Sequence, residues 1–102
     1  MVLVVTEPTR SGLHDLRRVV ELCRRFEART AVCVNRSDIN PEVADEIEAE
    51  ASRQGVAFLG RVRYDESVTA AQLKRMAVVE DGDGPAAEDI RALWERVRDA
   101  MA

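Results

Sequence analysis

Three short apolar runs, separated by segments of helical period, constrain this chain more than any other feature. The first, Val2 to Thr6, is a continuous β-branched and aliphatic stretch closed by Glu7-Pro8-Thr9, which reads as a buried strand and a turn. The second, Thr30 to Asn35, and the third, Val56 to Val62, have the same character. Between the first two, Leu13, Leu16, Val20 and Cys23 recur on one helical face with Val19 and Phe26 beside them, predicting a core-facing helix from Ser11-Gly12 to about Ala28. Between the second and third, Asn40-Pro41 supplies an N-cap and first-turn pair, Glu42, Asp45 and Glu46 suit a helix N-terminus, and Gly55 stands where a C-cap glycine belongs.

Strand, helix, strand, helix, strand with short connections is the pattern of an α/β fold. The expected architecture has three layers: a short parallel sheet of about three strands in sequence order, joined by right-handed crossovers and flanked by helices. Beyond the third strand the pattern predicts a short helix over 67–75, an extended piece over 77–79, a flexible linker over 81–84 and a terminal helix over 85–101. Ile90, Leu93, Trp94, Val97 and Met101 form the expected core stripe of that helix. The 102 residues suit one domain over 1–102, and no internal repeat or low-complexity tract divides them.

Composition removes several function classes. Hydrophobic residues at 46% and charged residues at 33% are those of an ordinary globular protein rather than a disordered tail. No run approaches the roughly 18 apolar residues of a membrane span, and polar Thr6-Glu7 cuts the first run too short for a secretion signal, so the expected compartment is the cytoplasm. A net charge of -4 has the wrong sign for general nucleic-acid affinity. Residues 1–36 nevertheless carry seven basic side chains against four acidic ones, and Arg17, Arg18, Arg24 and Arg25 read as a solvated helix face partly paired with Glu21. Two cysteines make no disulfide framework; Cys23 and Cys33 both fall on apolar positions and read as buried thiols.

In parallel sheets ligands bind outside the carboxyl ends of the strands. Here those ends are Thr6-Glu7-Pro8-Thr9, Asn35-Arg36-Ser37-Asp38 and Arg63-Tyr64-Asp65. An Asn amide offers one acceptor and two donors in a plane, and a nearby carboxylate offers acceptors, a combination able to read a purine edge. The same residues equally suit an Asx-type turn that caps the next helix. Phosphate-gripping groups are missing from the sequence: the single lysine, Lys74, lies in no G-x-x-x-x-G-K-[ST] run, and the five glycines form no G-x-G-x-x-G. There is no C-x-x-C for zinc or an iron-sulfur cluster, and His14 lacks the nucleophile-elbow context of a Ser-His-Asp site.

Taken together, Val4 to Thr9, Ser11 to Leu16, Val34 to Asp38, Leu59 to Asp65 and Ala86 to Val97 with its Leu93-Trp94-Glu95 resemble, in order and spacing, the C-terminal part of the MinD/Mrp-type P-loop ATPases. The likeness is closest to MinD-superfamily members that carry an inserted ferredoxin domain. It implies that Asn35 contacts an adenine ring with Asp38 close by, that the Arg63-Tyr64-Asp65 loop closes over the base through its backbone, and that Glu7 and Pro8 line the rim. Arg63 stands where the family often has proline, and Ala28-Arg29 where a glycine turn is usual. The resemblance further implies ATP or ADP as the nucleotide, with magnesium and iron-sulfur clusters belonging only to parts of the family that this sequence lacks. On this view the chain is the trailing half of an ATPase, without catalysis of its own, and its first strand has a bare edge for self-association or for pairing with a P-loop-bearing segment. The alternative is a protein-binding module, a truncated gene product whose nucleotide site is vestigial.

Overall fold

The computed structural model describes residues 1–64 and 84–102. The elements are β1 (Val2–Thr6), α1 (Arg10–Arg25), β2 (Thr30–Asn35), a 3₁₀ turn (Ser37–Ile39), α2 (Pro41–Gln54), β3 (Ala57–Val62) and α3 (Pro85–Met101). The three strands form one sheet in the order β1-β2-β3, all parallel, as the alternation of strands and helices requires. The expected helix over 67–75, the extended piece over 77–79 and all of the linker except Gly84 lie outside the described residues.

Register decides which side chains share a face. Val4 pairs with Val32 and Thr6 with Val34, while Val32 pairs with Phe58. On that face Val32 and Val34 pack with Leu13, Leu16 and Val20 of α1 and Val43, Ala44, Ile47 and Ala51 of α2 to form the core. The opposite face carries Ala31 and Cys33, both buried, and α3 packs there against β3. A bulge after Val32 sets Cys33 opposite Gly60. A Cβ on Gly60 would lie 2.8 Å from the Arg96 guanidinium, which crosses β3 to donate to the Leu59 carbonyl at 2.7 Å. A side chain there would displace the guanidinium, and the φ of 154° favours glycine at this position.

Helix ends follow capping chemistry. Thr9 caps α1, which starts at Arg10, one residue before the expected Ser11: the Thr9 Oγ1 accepts from the Gly12 N–H at 2.9 Å. Asn40 caps α2 through Oδ1, which accepts from Val43, and Gly55 ends it in the left-handed conformation. The C-terminus of α1 comes earlier than expected, at Arg25. Glu27 takes a φ of 55°, so that its N–H reaches the Arg24 carbonyl and that of Ala28 reaches Cys23, a Schellman closure with glutamate in the glycine position.

Three residues placed by periodicity in the core are instead exposed: Phe26 at 77%, Trp94 at 58% and Met101 at 62%. Phe26 follows the last turn of α1 on the flank turned away from α2, beside β1, the edge strand among the described residues. Cys23 and Cys33 are buried free thiols, and burial pushes the Cys33 thiol upward from its ordinary value. Among the described residues no helix is long and apolar enough to cross a membrane.

Candidate functional site

The carboxyl ends of β1, β2 and β3 lie side by side because the strands are parallel and adjacent. At the end of β1 the chain turns tightly: the Thr9 N–H donates to the Glu7 carbonyl at 2.9 Å, and Leu13 donates to the Thr9 carbonyl at 3.0 Å. Gly12 presses against this turn so closely that a Cβ there would sit 2.3 Å from the Glu7 oxygen and 2.8 Å from Thr6 Oγ1. The Glu7 side chain is exposed, whereas Pro8 is buried beneath the turn.

At the end of β2, Asn35 is half-buried and its Oδ1 accepts from the Arg36 N–H at 3.0 Å. That bond turns the backbone, and Arg36 adopts the left-handed conformation with φ 56° and ψ 42°. This bond runs to the next residue rather than two residues on, so it is not the Asx turn expected as one reading of the motif; Asn40 caps the following helix, and Asp38 has another task. Asp38 Oδ1 accepts from the Tyr64 N–H at 2.9 Å, tying the loop after β2 to the loop after β3. The Arg36 guanidinium lies 5.0 Å from the centroid of the Tyr64 ring, a cation–π contact across the same gap. Asn35, Asp38 and Tyr64 are thus brought together at the strand ends.

Arg63 points elsewhere. Its Nε and Nη2 reach the two oxygens of Asp89 on α3 at 2.8 and 3.0 Å, and its backbone N–H donates to the same carboxylate at 2.8 Å. The Asp89 hydrogen bonds raise the Arg63 guanidinium above its ordinary value. Its side chain holds α3 to the end of β3. Asp65 lies outside the described residues. Two residues at the site were not singled out by sequence reasoning: Arg36, whose ring contact depends on where β3 ends, and Asp89, a helix residue with no local signal. Among the described residues no three His, Cys, Asp or Glu side chains gather in a way that would hold a metal ion.

Away from the strand ends, a groove of about 470 Å³ between α1 and α2 is lined by Arg10, Leu13, His14, Arg17, Glu46, Ala49 and Arg53. Behind it Glu50 is buried, accepting from Arg17 Nε at 2.7 Å and from Arg53 Nε at 2.9 Å. Those two arginines hold its carboxyl at about 2. Arg10 binds Glu46 and Arg24 reaches the Gln54 carbonyl. Arg17 and Arg24, expected on a solvated face, are instead partners of α2; Arg25 pairs with Glu21 at 3.4 Å, as expected.

A three-stranded parallel sheet with helices on both faces matches part of the P-loop NTPase fold. In particular, the fold is MinD-like. The chain superposes on the MinD cell division protein of Aquifex aeolicus with a TM-score of 0.76 at 22% identity, covering 95% of this chain and 43% of that one. It superposes on the Pyrococcus furiosus cell division ATPase MinD with a TM-score of 0.78 at 20% identity, covering 96% of this chain and 42% of the other. The chain therefore spans less than half the length of these solved structures. No family model and no curated protein matches it.

Proposed function

We propose that this chain is the base-binding segment of a MinD-like nucleotide-binding ATPase, contributing adenine contacts while the phosphate-gripping groups come from another segment. The observation that carries this reading is the clasp at the strand ends, where Asp38 binds the Tyr64 N–H and Asn35 lies at the same end of β2. Asn35 Oδ1 accepts from the Arg36 N–H and keeps a second lone pair, and the amide NH₂ is the donor it can offer a ligand. The second Asp38 oxygen is an acceptor. A donor and an acceptor suit the N7 acceptor and N6 donor of adenine, whereas guanine presents acceptors at both N7 and O6 and would set O6 against a carboxylate. Arg36 and Tyr64 supply a stacked wall, and Glu7 stands at the rim. Pro8, being buried, supports the turn rather than facing a ligand.

The resemblance to ferredoxin-containing members extends this reading to the subtype of the parent protein, in which the iron-sulfur centres would lie in other segments. ATP or ADP, with magnesium, is the nucleotide such a parent would use. Hydrolysis needs a phosphate-loop lysine and metal ligands, and this sequence has no such loop. A purified chain that turned over ATP above background would refute that part of the proposal.

The direct test is titration of adenosine and, in parallel, guanosine against the isotopically labelled chain, followed by NMR at the Asn35 side-chain amide and the Tyr64 backbone amide. Adenosine is expected to shift both signals and guanosine neither, with the response lost in Asn35→Ala. Absence of any shift with saturating adenosine would favour the second reading, a protein-binding module with a vestigial nucleotide site. The edge of β1, unpaired among the described residues, and the exposure of Phe26 speak for that reading.

A further inference from the structure

Among the described residues no strand pairs with the outer edge of β1. Val2 donates to the Arg29 carbonyl at 2.7 Å, so by strand alternation Val2, Val4 and Thr6 bond to β2 while Leu3 and Val5 turn their N–H and C=O groups outward. No charged residue, proline or bulge blunts this edge, and the Val5 side chain is 61% exposed. Above it, the flank of α1 turned away from α2 carries Val19, Leu22 and Phe26, the last two 52% and 77% exposed. Bare edge and apolar flank are continuous.

We infer that this surface is a two-fold interface between two copies of the chain, paired antiparallel through β1 about an axis at Val4. Such pairing sets Leu3 of one copy opposite Val5 of the other, forming about four main-chain hydrogen bonds and joining two three-stranded sheets into one. The charges above the strand support the second copy as occupant. Gly12 is level with the end of β1, because a Cβ built on it would meet the Glu7 carbonyl and Thr6 Oγ1. Descending two strand residues to Val4 covers about 6.6 Å, or about four residues of α1, which runs the opposite way. The two-fold level on α1 therefore falls at Leu16 and Arg17, and it sets exposed Asp15 of each copy against exposed Arg18 of the other. Opposite charges meet twice, and Val19 and Leu22 lie beside them. The edge takes one occupant at a time, so self-pairing and completion by a phosphate-binding segment are alternatives, and the isolated chain displays the first.

Sedimentation velocity from low micromolar to several hundred micromolar tests this. Wild-type chain is expected to sediment as a dimer at the upper concentrations, and Val5→Lys to weaken association by about tenfold or more. Asp15→Arg and Arg18→Asp are each expected to weaken it and the double swap to restore it. Circular dichroism confirms that each variant is folded; if Val5→Lys is not, the two exposed charge positions decide alone. A wild-type monomer throughout would overturn the proposal and leave the edge for a different segment. A dimer indifferent to the charge reversals would overturn it equally.

Discussion

Arg17 on α1 donates through Nε to the buried carboxylate of Glu50 on α2 at 2.7 Å, and this pair lies at the centre of a zipper between the two helices. Arg10, Arg17 and Arg24 recur every seven residues on one flank of α1, and Glu46, Glu50 and Gln54 every four on α2. Each arginine meets the corresponding α2 residue. Because Glu50 is only 4% exposed, losing its charge costs more than losing a surface pair.

The Glu50 carboxyl is held at about 2, against an ordinary 4.5, by Arg53 and Arg17. A lowered folded-state value means that the stabilisation is present above the ordinary carboxylate range and is lost as pH falls from about 4.5 towards about 2. Glu50→Gln is expected to lower stability at pH 7 by about 1–2 kcal/mol, since both arginines are half-exposed and rehydrate when released. Urea unfolding at pH 7 and across the acid range should show a flatter acid limb in the variant. An unchanged limb would place the acid sensitivity elsewhere.

Glu27 closes the C-terminus of α1 at a φ of 55°, a conformation costing a side-chain-bearing residue about 1 kcal/mol relative to glycine. Glu27→Gly should raise stability by about that amount. The chemical denaturation midpoint should move up without a change in slope; a downward shift would show that the glutamate side chain contributes more than its backbone strain costs.

Gly12 has the opposite sensitivity. A Cβ placed there meets the Glu7 carbonyl at 2.3 Å, a backbone atom that cannot swing aside. Gly12→Ala is expected to destabilise the fold by about 2–3 kcal/mol through displacement of the β1–α1 turn. It should also shift the backbone signals of Thr6 and Glu7 in NMR spectra, and an alanine variant of wild-type stability would contradict this packing.

The Asp38–Tyr64 bond joins the loops after β2 and β3, which the Arg36–Tyr64 ring contact also bridges. In Asp38→Ala the Tyr64 amide should exchange with solvent about tenfold faster or more, since a hydrogen bond to a charged acceptor is lost. The Arg63 amide, held by Asp89, should be little affected. Comparable acceleration at both positions would mean that the loop opens as a unit. On the nucleotide reading the same variant should also bind adenosine less tightly.

Much of this molecule is written in local pattern. Val2–Thr6, Thr30–Asn35 and the run ending at Val62 are apolar at consecutive positions, the pattern of a parallel sheet covered on both faces; β2 is buried in this way, whereas β1, expected to be buried, leaves Val2 and Val5 exposed because it lies at the edge of the described sheet. Asn40, Pro41 and Gly55 mark the ends of α2 by side-chain and backbone chemistry that acts within four residues. Strand order and the position of the candidate site at the carboxyl ends follow from those elements and from crossover handedness. Periodicity places a residue on one side of a helix, but it does not say how far the layer beneath extends. Phe26 and Trp94 carry the right period and remain exposed, because coverage depends on neighbouring elements rather than on the helix itself. Likewise Arg17 and Arg24 resemble any solvated arginines until α2 is laid alongside. Arg63 and Asp89 are 26 residues apart, and only the docking of α3 on β3 makes them partners. What the sequence by itself determined were the described strands and helices, their order and the ends of α2, because these arise from interactions within a few residues; where α1 stops, which flanks are covered and which charges meet, only the tertiary structure decided, because those depend on surfaces brought together from distant parts of the chain.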